Sequence, residues 1–100
     1  MLKITIIDGS TEQRLVLEGR LTEPDLSALQ SAWKDARTTL GTRNCLVDLR
    51  NATFIDQSGE RTLLEMKREG ARFIACGVST TNQLEQLGIQ CKDSVPKNPR

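Results

Sequence analysis

The chain has 100 residues, which suits a single domain, and its formal net charge is only +1. That charge, together with one Trp, two Phe and no Tyr, does not favour a surface for nucleic acid. No apolar run approaches the roughly 20 residues of a membrane-spanning helix, and the first residues do not resemble a signal peptide. We therefore expect a cytoplasmic protein that binds no nucleic acid and does not insert directly into a membrane.

The absence of histidine excludes histidine-based catalytic triads and removes the commonest acid–base residue. The carboxylates show no spacing that singles out a catalytic pair. Three cysteines, at positions 45, 76 and 91, form no Cys-x-x-Cys pair for zinc. Cys45 and Cys76 lie in apolar runs, where a free cysteine behaves as a small buried hydrophobe. We expect no enzymatic activity, no metal and no other cofactor.

Four segments have strand character. Residues 2–7 are rich in β-branched types, residues 14–18 alternate polar and apolar side chains, and the turn signal at residues 8–10 joins them as an antiparallel pair. Residues 45–49 and 72–76 are short and almost continuously apolar, as in central strands that are covered on at least one face. A helix between these two segments predicts a crossover into parallel pairing.

The first helix is predicted to begin with Thr22 as its cap or with Pro24 as its first residue, and Gly41 signals its end. Apolar residues at helical spacing should face the sheet: Leu26, Leu29, Trp33 and Ala36. Since Trp33 continues this stripe, we expect it to pack in the core and not to serve as an interface anchor.

Two further helices are predicted from the same kinds of signal, a hydroxyl residue at the start and a glycine at the end. One opens at Ser58 and closes at Gly70; the next has Ser79 or Thr80 as its cap and ends at Gly88. Their inward-facing residues are predicted to be Leu63, Met66, Leu84 and Leu87. The resulting order of elements is β-β-α-β-α-β-α.

The last residues have little apolar area with which to offset the entropy of ordering them. Residues 92–100 hold two prolines, four charges and a single aliphatic residue, Val95. We expect one folded domain over residues 1–90 and a mobile tail over residues 91–100.

The segment Phe54–Gly59, which links the strand at 45–49 to the second helix, concentrates polar residues at a helix start. Asp56, Gln57 or Ser58 can accept a hydrogen bond from a first-turn amide. The same amides and the helix dipole could receive an acidic group of a partner. Capping alone and partner binding both remain open on this pattern.

Several runs in order resemble the STAS family (sulfate transporter and anti-sigma-factor antagonist domain) over roughly residues 2–90. They are Gly19-Arg-Leu-Thr22, Leu46-Val-Asp-Leu49 followed by Phe54-Ile-Asp-Gln-Ser-Gly59, Gly70-Ala-Arg-Phe-Ile-Ala-Cys-Gly77, and residues 84–89. The resemblance implies an α/β fold, with helices packed on one face of a mixed four- to five-stranded sheet. It also implies docking of a protein partner through the loop and start of the second helix.

Family members that antagonise anti-sigma factors carry Asp-Ser-Ser-Gly or Asp-Ser-Thr-Gly in this loop, and a partner kinase phosphorylates the first hydroxyl residue. That position is Gln57 here, and a glutamine cannot accept phosphate. Ser58 and Gly59 of the motif are kept. The resemblance therefore implies a regulatory, partner-binding site without phosphorylation at position 57, formed by Asp56, Gln57, Ser58, Gly59, Glu60 and Arg61.

The second helix continues with charged residues, Glu60 to Glu69, where such antagonists usually have small and apolar ones. Arg61 with Glu65, and Glu65 with Arg68, have the spacing for ion pairs along the helix. This charged face suits either plain solvation or a partner with a complementary charged groove.

Three alternatives to this docking module remain open. The first is an antagonist switch phosphorylated at Ser58, although a capping hydroxyl would be poorly presented to a kinase. The second is a soluble STAS subunit of a transport system, and the third is an anion or nucleotide sensor at the helix-start amides. The protein partner would accordingly be an anti-sigma-factor-like kinase or another signalling or transport component, and a homodimer through an exposed strand edge is also open.

Overall fold

The structure, a computed structural model, describes residues 2–41, 43–89 and 91–93. In this part of the chain the elements are β1 (Leu2–Asp8), β2 (Glu12–Leu21), α1 (Leu26–Leu40), β3 (Asn44–Ile55), α2 (Gln57–Arg68), β4 (Arg72–Ala75), α3 (Val78–Gln86) and β5 (Cys91–Asp93). The strands form one sheet in the order β1-β2-β3-β4-β5. β1 pairs antiparallel with β2 and every other neighbouring pair is parallel, so the predicted mixed sheet is confirmed.

The ladder between β2 and β3 carries the sheet well beyond the predicted end of β3 at residue 49. It runs from Glu12 opposite Asn44 to Leu21 opposite Ile55, with irregularities along the way. The second half of β3 is mostly exposed and therefore lacks the apolar run that marks its first half. Pairing with the long strand β2 extends β3, which explains why the apolar pattern alone missed this part.

The hydrophobic core lies between the sheet and the three helices. Alternate residues of β2, β3 and β4 enter it together with Leu26, Leu29 and Trp33 of the predicted helical stripe. Leu46 and Ile74 are buried outside it, on the other face of the sheet. The predicted inward-facing helical residues are buried, apart from Leu87, which is partly buried against the core. The helices thus pack on one face of the sheet, as predicted.

The first helix begins later than either predicted start. Its first residue is Leu26, and a turn precedes it. The amide of Asp25 donates to the backbone carbonyl of Thr22 at 3.0 Å, so this amide does not need the Thr22 hydroxyl as its cap. Both predicted starts, a Thr22 cap and Pro24 as first helical residue, were therefore wrong.

The third helix also has a different cap from the predicted one. It begins at Val78, with Gly77 as its N-cap at φ +94°, a conformation that glycine adopts readily. Ser79 and Thr80 lie inside the first turn, and no side chain caps the helix. The predicted hydroxyl cap was wrong because the backbone turns at the glycine, one residue before the helix.

The cysteines differ in their surroundings. Cys45 is buried in β3, and burial raises the pKa of its thiol to about 11. Cys76 is exposed, because β4 ends at Ala75. The expectation of a buried thiol was therefore wrong for Cys76.

The short strand β5, Cys91–Asp93, lies in the segment that we predicted as tail, where it pairs in parallel with β4. Its pairing partner explains an element that the polar composition did not predict. The rest of the predicted tail, residues 94–100, lies outside the described residues.

Candidate functional site

The second helix begins at Gln57, one residue before the predicted start, directly after β3 ends at Ile55. Asp56 is the N-cap: its carboxylate Oδ1 accepts a hydrogen bond of 2.7 Å from the amide of Gly59. Of the three candidate caps, Asp56 therefore has this role. Its negative charge also lies at the positive end of the helix dipole.

Gly59 is buried where the first turn of α2 meets the end of β2. A Cβ atom at this position would lie 2.5 Å from the carbonyl oxygen of Leu21 and 3.0 Å from Cγ2 of Ile55. The same carbonyl of Leu21 accepts a hydrogen bond of 3.3 Å from the amide of Asp56. Gly59 thus permits close backbone packing, and its burial leaves it no exposed surface for a partner.

The start of α2 is also held by α3. The amide nitrogen Nε2 of Gln83 donates to the carbonyl of Ile55 at 2.9 Å and to Oε2 of Glu60 at 2.7 Å. Glu60, predicted as a partner-binding residue, is therefore part of an internal clamp. Gln83 was missed by the sequence reasoning, because nothing local to α3 shows which distant backbone carbonyl its amide will meet.

On the opposite side, α1 contacts the same turn. Nε2 of Gln30 lies 3.4 Å from Oγ1 of the buried Thr62, whose hydroxyl donates to the carbonyl of Ser58 at 3.1 Å. Strand β2 and both flanking helices therefore fix the backbone of the site.

Gln57 and Arg61 project from this fixed backbone into solvent, and their spacing places them on one face of α2. Neither Arg61 with Glu65 nor Glu65 with Arg68 is among the ion pairs of the described ranges. The charges of Arg61 and Glu65 are thus available to an external group.

Phe54, the first residue of the predicted linking segment, is half exposed near the end of β3. The guanidinium carbon of Arg20, its neighbour on β2, lies 5.3 Å from the centre of the ring. The sheet therefore presents an aromatic surface shortly before the cap of α2.

Ser58 is half-buried and lines a small groove of about 140 Å³ with Glu23, Arg61 and Glu65 among its neighbours. Its hydroxyl makes no hydrogen bond within the described part of the chain. Ser58 is therefore not the cap, and its groove is lined by two carboxylates and one guanidinium.

A second groove, of about 420 Å³, lies between α1 and α2. Trp33 at its base is 6% exposed, which confirms its predicted place in the core, and its Nε1 donates to Oε1 of Glu69 at 2.5 Å. Arg37 pairs with the same carboxylate oxygen at 3.2 Å. These contacts satisfy the polar groups at that end of the groove internally.

Residues 2–41, 43–89 and 91–93 contain no group of three or more His, Cys, Asp or Glu side chains placed to hold a metal ion. Among the same residues, no helix combines the length and apolar character that crossing a membrane requires.

Comparisons with known protein families and with curated proteins gave no match. Solved structures do resemble the chain. An anti-sigma factor antagonist from Mycobacterium paratuberculosis is 16% identical with a TM-score of 0.79, covering 88% of this chain and 79% of its own. The anti-sigma factor antagonist SpoIIAA, in its unphosphorylated form, is 19% identical with a TM-score of 0.67, covering 95% and 90%.

A third solved structure is the STAS domain of an antisigma-factor antagonist from Rhodobacter sphaeroides. It is 20% identical with a TM-score of 0.54, covering 76% of this chain and 86% of its own. The expected resemblance is thus confirmed in three dimensions: the chain has the STAS fold of the anti-sigma factor antagonists.

Proposed function

We propose that the chain is a regulatory protein-interaction module that docks a protein partner through the loop and first turns of α2, without phosphorylation at position 57. One observation carries this proposal: Gln57 and Arg61 are exposed, one helical turn apart, on a backbone that β2, α1 and α3 hold in place. A preorganised backbone lowers the ordering cost of association, so few contacts are needed for specific binding.

The residues of the site have separate roles in this proposal. Gln57 offers a neutral donor and acceptor, while Arg61 offers a guanidinium suited to a carboxylate of the partner. Phe54, three residues before Gln57 in the chain, adds a half-exposed aromatic ring. Asp56 and Gly59 shape the helix start, through the cap and the close packing, without forming the contact surface.

The proposed partner class is supported by two solved structures of the same fold, both of anti-sigma factor antagonists. We infer a partner of the anti-sigma-factor type that presents an acidic group to Arg61. If a transport component bound at the α2 site instead, the same module would act in a transport system. Identifying the partner distinguishes these two functions.

The structure gives the alternatives at this site less support. A phosphate on Ser58 would enter a groove lined by two carboxylates, of Glu23 and Glu65, and by one cation, Arg61, so like-charge repulsion opposes the attraction of the single guanidinium. An anion at the helix start would compete with Asp56, which already occupies the amide of Gly59.

The test combines affinity capture with a charge reversal. The tagged chain is used to capture partners from its own cells, mass spectrometry identifies them and any phosphate on residues 54–69, and calorimetry with the purified partner follows. We expect Arg61→Glu to weaken binding at least about tenfold, because an attractive pair becomes a repulsive one. No phosphate is expected at Ser58.

Lys67→Glu is the matched control, since it makes the same charge change at an exposed position on the last turn of the same helix. It should leave the affinity within about twofold of the wild type, a change of less than 0.5 kcal/mol. Circular dichroism of both variants establishes that they fold. Equal loss of folding and binding in Arg61→Glu, or recovery of a kinase together with phosphorylated Ser58, would contradict the proposal.

A further inference from the structure

Strand β1 forms one edge of the sheet, and no described segment pairs with its outer side. It pairs with β2 over all of Leu2–Asp8 in unbroken register and contains no proline. Proteins usually protect such edges with bulges, prolines, inward charges or short strands, and here Lys3 is the only basic residue on the strand. The edge is therefore free to accept another strand.

Exposed apolar side chains lie near the C-terminal end of this edge strand. Ile6 is 45% exposed and Ile7 is 53% exposed, although they lie on opposite faces of the sheet. Neither belongs to the hydrophobic core or to the residues packed against it, whereas Leu2 and Ile4 do pack there. Solvent-exposed isoleucines beside an unpaired backbone favour the addition of a strand that covers both.

We propose that β1 pairs antiparallel with β1 of a second copy of this chain, so that the sheets of a two-fold dimer become continuous. This goes beyond the docking function, because the pairing uses the outer edge of β1, two strands away from β3, and none of the residues proposed to bind a partner at α2.

The geometry of the sheet restricts the register of this pairing. A two-fold axis perpendicular to the sheet keeps the helices of both copies on the same side, so directly opposed residues must come from the same face of each strand. The register centred on Thr5 meets this condition and pairs all seven residues of the strand. Thr5 then lies opposite Thr5 of the second copy, and Ile4 lies opposite Ile6 in two equivalent pairs.

The charges on β1 permit pairing with a second copy, because no two like charges lie opposite each other in the proposed register. The strand is basic near its start, at Lys3, and acidic at its end, at Asp8. In the centred antiparallel register the two Lys3 residues are separated by four positions, or about 13 Å along the strand. Each Lys3 lies opposite Ile7, on which its aliphatic stem can pack while the ammonium group stays in water.

Measurement of mass in solution tests the dimer directly. We expect the wild-type chain to show a concentration-dependent dimer mass in analytical ultracentrifugation. Thr5→Lys places two ammonium groups opposite each other on the axis, and should raise the dissociation constant at least about tenfold. Thr11→Lys makes the same change at an exposed turn residue and should leave the dimer intact.

Cysteine crosslinking tests the register independently of any loss of folding. Directly opposed residues have Cα atoms about 4.5–5.5 Å apart, which suits a disulfide. With Cys76→Ser and Cys91→Ser as background, Thr5→Cys should form a covalent dimer under oxidised glutathione. Ile7→Cys should not do so alone, but should crosslink when mixed with Lys3→Cys.

A monomer mass for the wild type at its highest soluble concentration would overturn the proposal. So would a dimer that Thr5→Lys leaves unchanged while circular dichroism shows a folded variant. Crosslinking through Ile7→Cys alone would contradict the centred register and with it the pairing that we propose. None of these outcomes depends on the partner of the α2 site, so the two proposals fail separately.

Discussion

At the scale of single residues, Gly59 shows how one residue can set the distance between a helix and the sheet. Any side chain at this position would collide with the backbone oxygen of Leu21, the last residue of β2, which is held in place by the hydrogen bond that it accepts from the amide of Asp56. The glycine therefore sets how closely α2 approaches the sheet, and through this the position of the neighbouring exposed residues.

We expect Gly59→Ala to destabilise the fold by about 1–3 kcal/mol, the usual cost of overpacking, despite the roughly 1 kcal/mol by which alanine favours a helix. Gln57→Ala, at an exposed position of the same turn, should change stability by less than about 0.5 kcal/mol. Urea unfolding followed by the fluorescence of Trp33 measures both. An unchanged or raised midpoint for Gly59→Ala would show that α2 can move away from Leu21 without cost.

At the scale of elements, the first turn of α2 has one side-chain cap, the carboxylate of Asp56. We expect Asp56→Ala to cost about 1 kcal/mol, because the amide of Gly59 loses its partner, and Asp56→Asn to cost less. Ser58→Ala should be nearly neutral, since that hydroxyl makes no hydrogen bond in the described structure. Urea unfolding measures the stability of all three variants. A larger loss of unfolding free energy for Ser58→Ala than for Asp56→Ala would contradict the assignment of Asp56 as the cap.

The fold was predictable wherever burial imposes a repeating pattern. The stripe from Leu26 to Ala36 and the apolar runs of β3 and β4 gave the layers and their order, because each reflects a whole face in contact with the core. The start of α1 and the cap of α3 were not predictable, since backbone carbonyls and Gly77 there take the place of the hydroxyl groups that propensity favours. β5 depends on pairing with β4 and has no local signal.

The candidate site was predictable only in part. The location of the candidate site and the set of three candidate caps came from local sequence, whereas the expectation that position 57 is not phosphorylated came from the family resemblance and stays a prediction. The clamp by Gln83 and the contact with Leu21 join residues far apart in the chain, which no local pattern records. For this reason the sequence did not separate Glu60 and Gly59, which are held internally, from Arg61, which is exposed.

At the scale of the whole molecule, the face of the sheet away from the helices contains a buried carboxylate between two arginines. Asp48 is 3% exposed, and its Oδ2 lies 2.6 Å from Nη2 of Arg50 and 3.7 Å from Nη1 of Arg14. The backbone amide of Arg50 also donates to Oδ1 at 3.0 Å. Hydrogen bonds from Arg50 are the main reason that the pKa of Asp48 lies below its ordinary value of 3.8, and they outweigh the opposing effect of burial.

This arrangement makes global stability depend on pH in the acid range. A carboxyl group whose pKa is lower in the folded state than in the unfolded state stabilises the fold above the unfolded value, and this contribution disappears as pH falls through the folded value. The contribution of Asp48 should therefore be fully present above pH 5 and decline below about pH 4, the range set by its ordinary pKa of 3.8. Asp8 acts with the same sign, because its hydrogen bond to Arg43 lowers its pKa.

We expect Asp48→Asn to lower the free energy of unfolding at pH 7 by about 1–2 kcal/mol, because Arg50 and Arg14 lose their buried anion. The difference from the wild type should shrink as pH falls below about 4, because Asp48 takes up a proton more readily in the unfolded chain than in the folded one, and should vanish as pH falls through the lowered pKa of the folded state. Asp8→Asn is the matched control, since the carboxylate of Asp8 is 63% exposed and its ion pair is screened by solvent and salt.

Urea unfolding from pH 2.5 to 7 measures the wild type and both variants. All samples have the same protein concentration, because the stability of a dimer depends on concentration. A gap between Asp48→Asn and the wild type that stays constant down to the lowest pH would mean that packing around Asp48, and not its charge, stabilises the open face of the sheet.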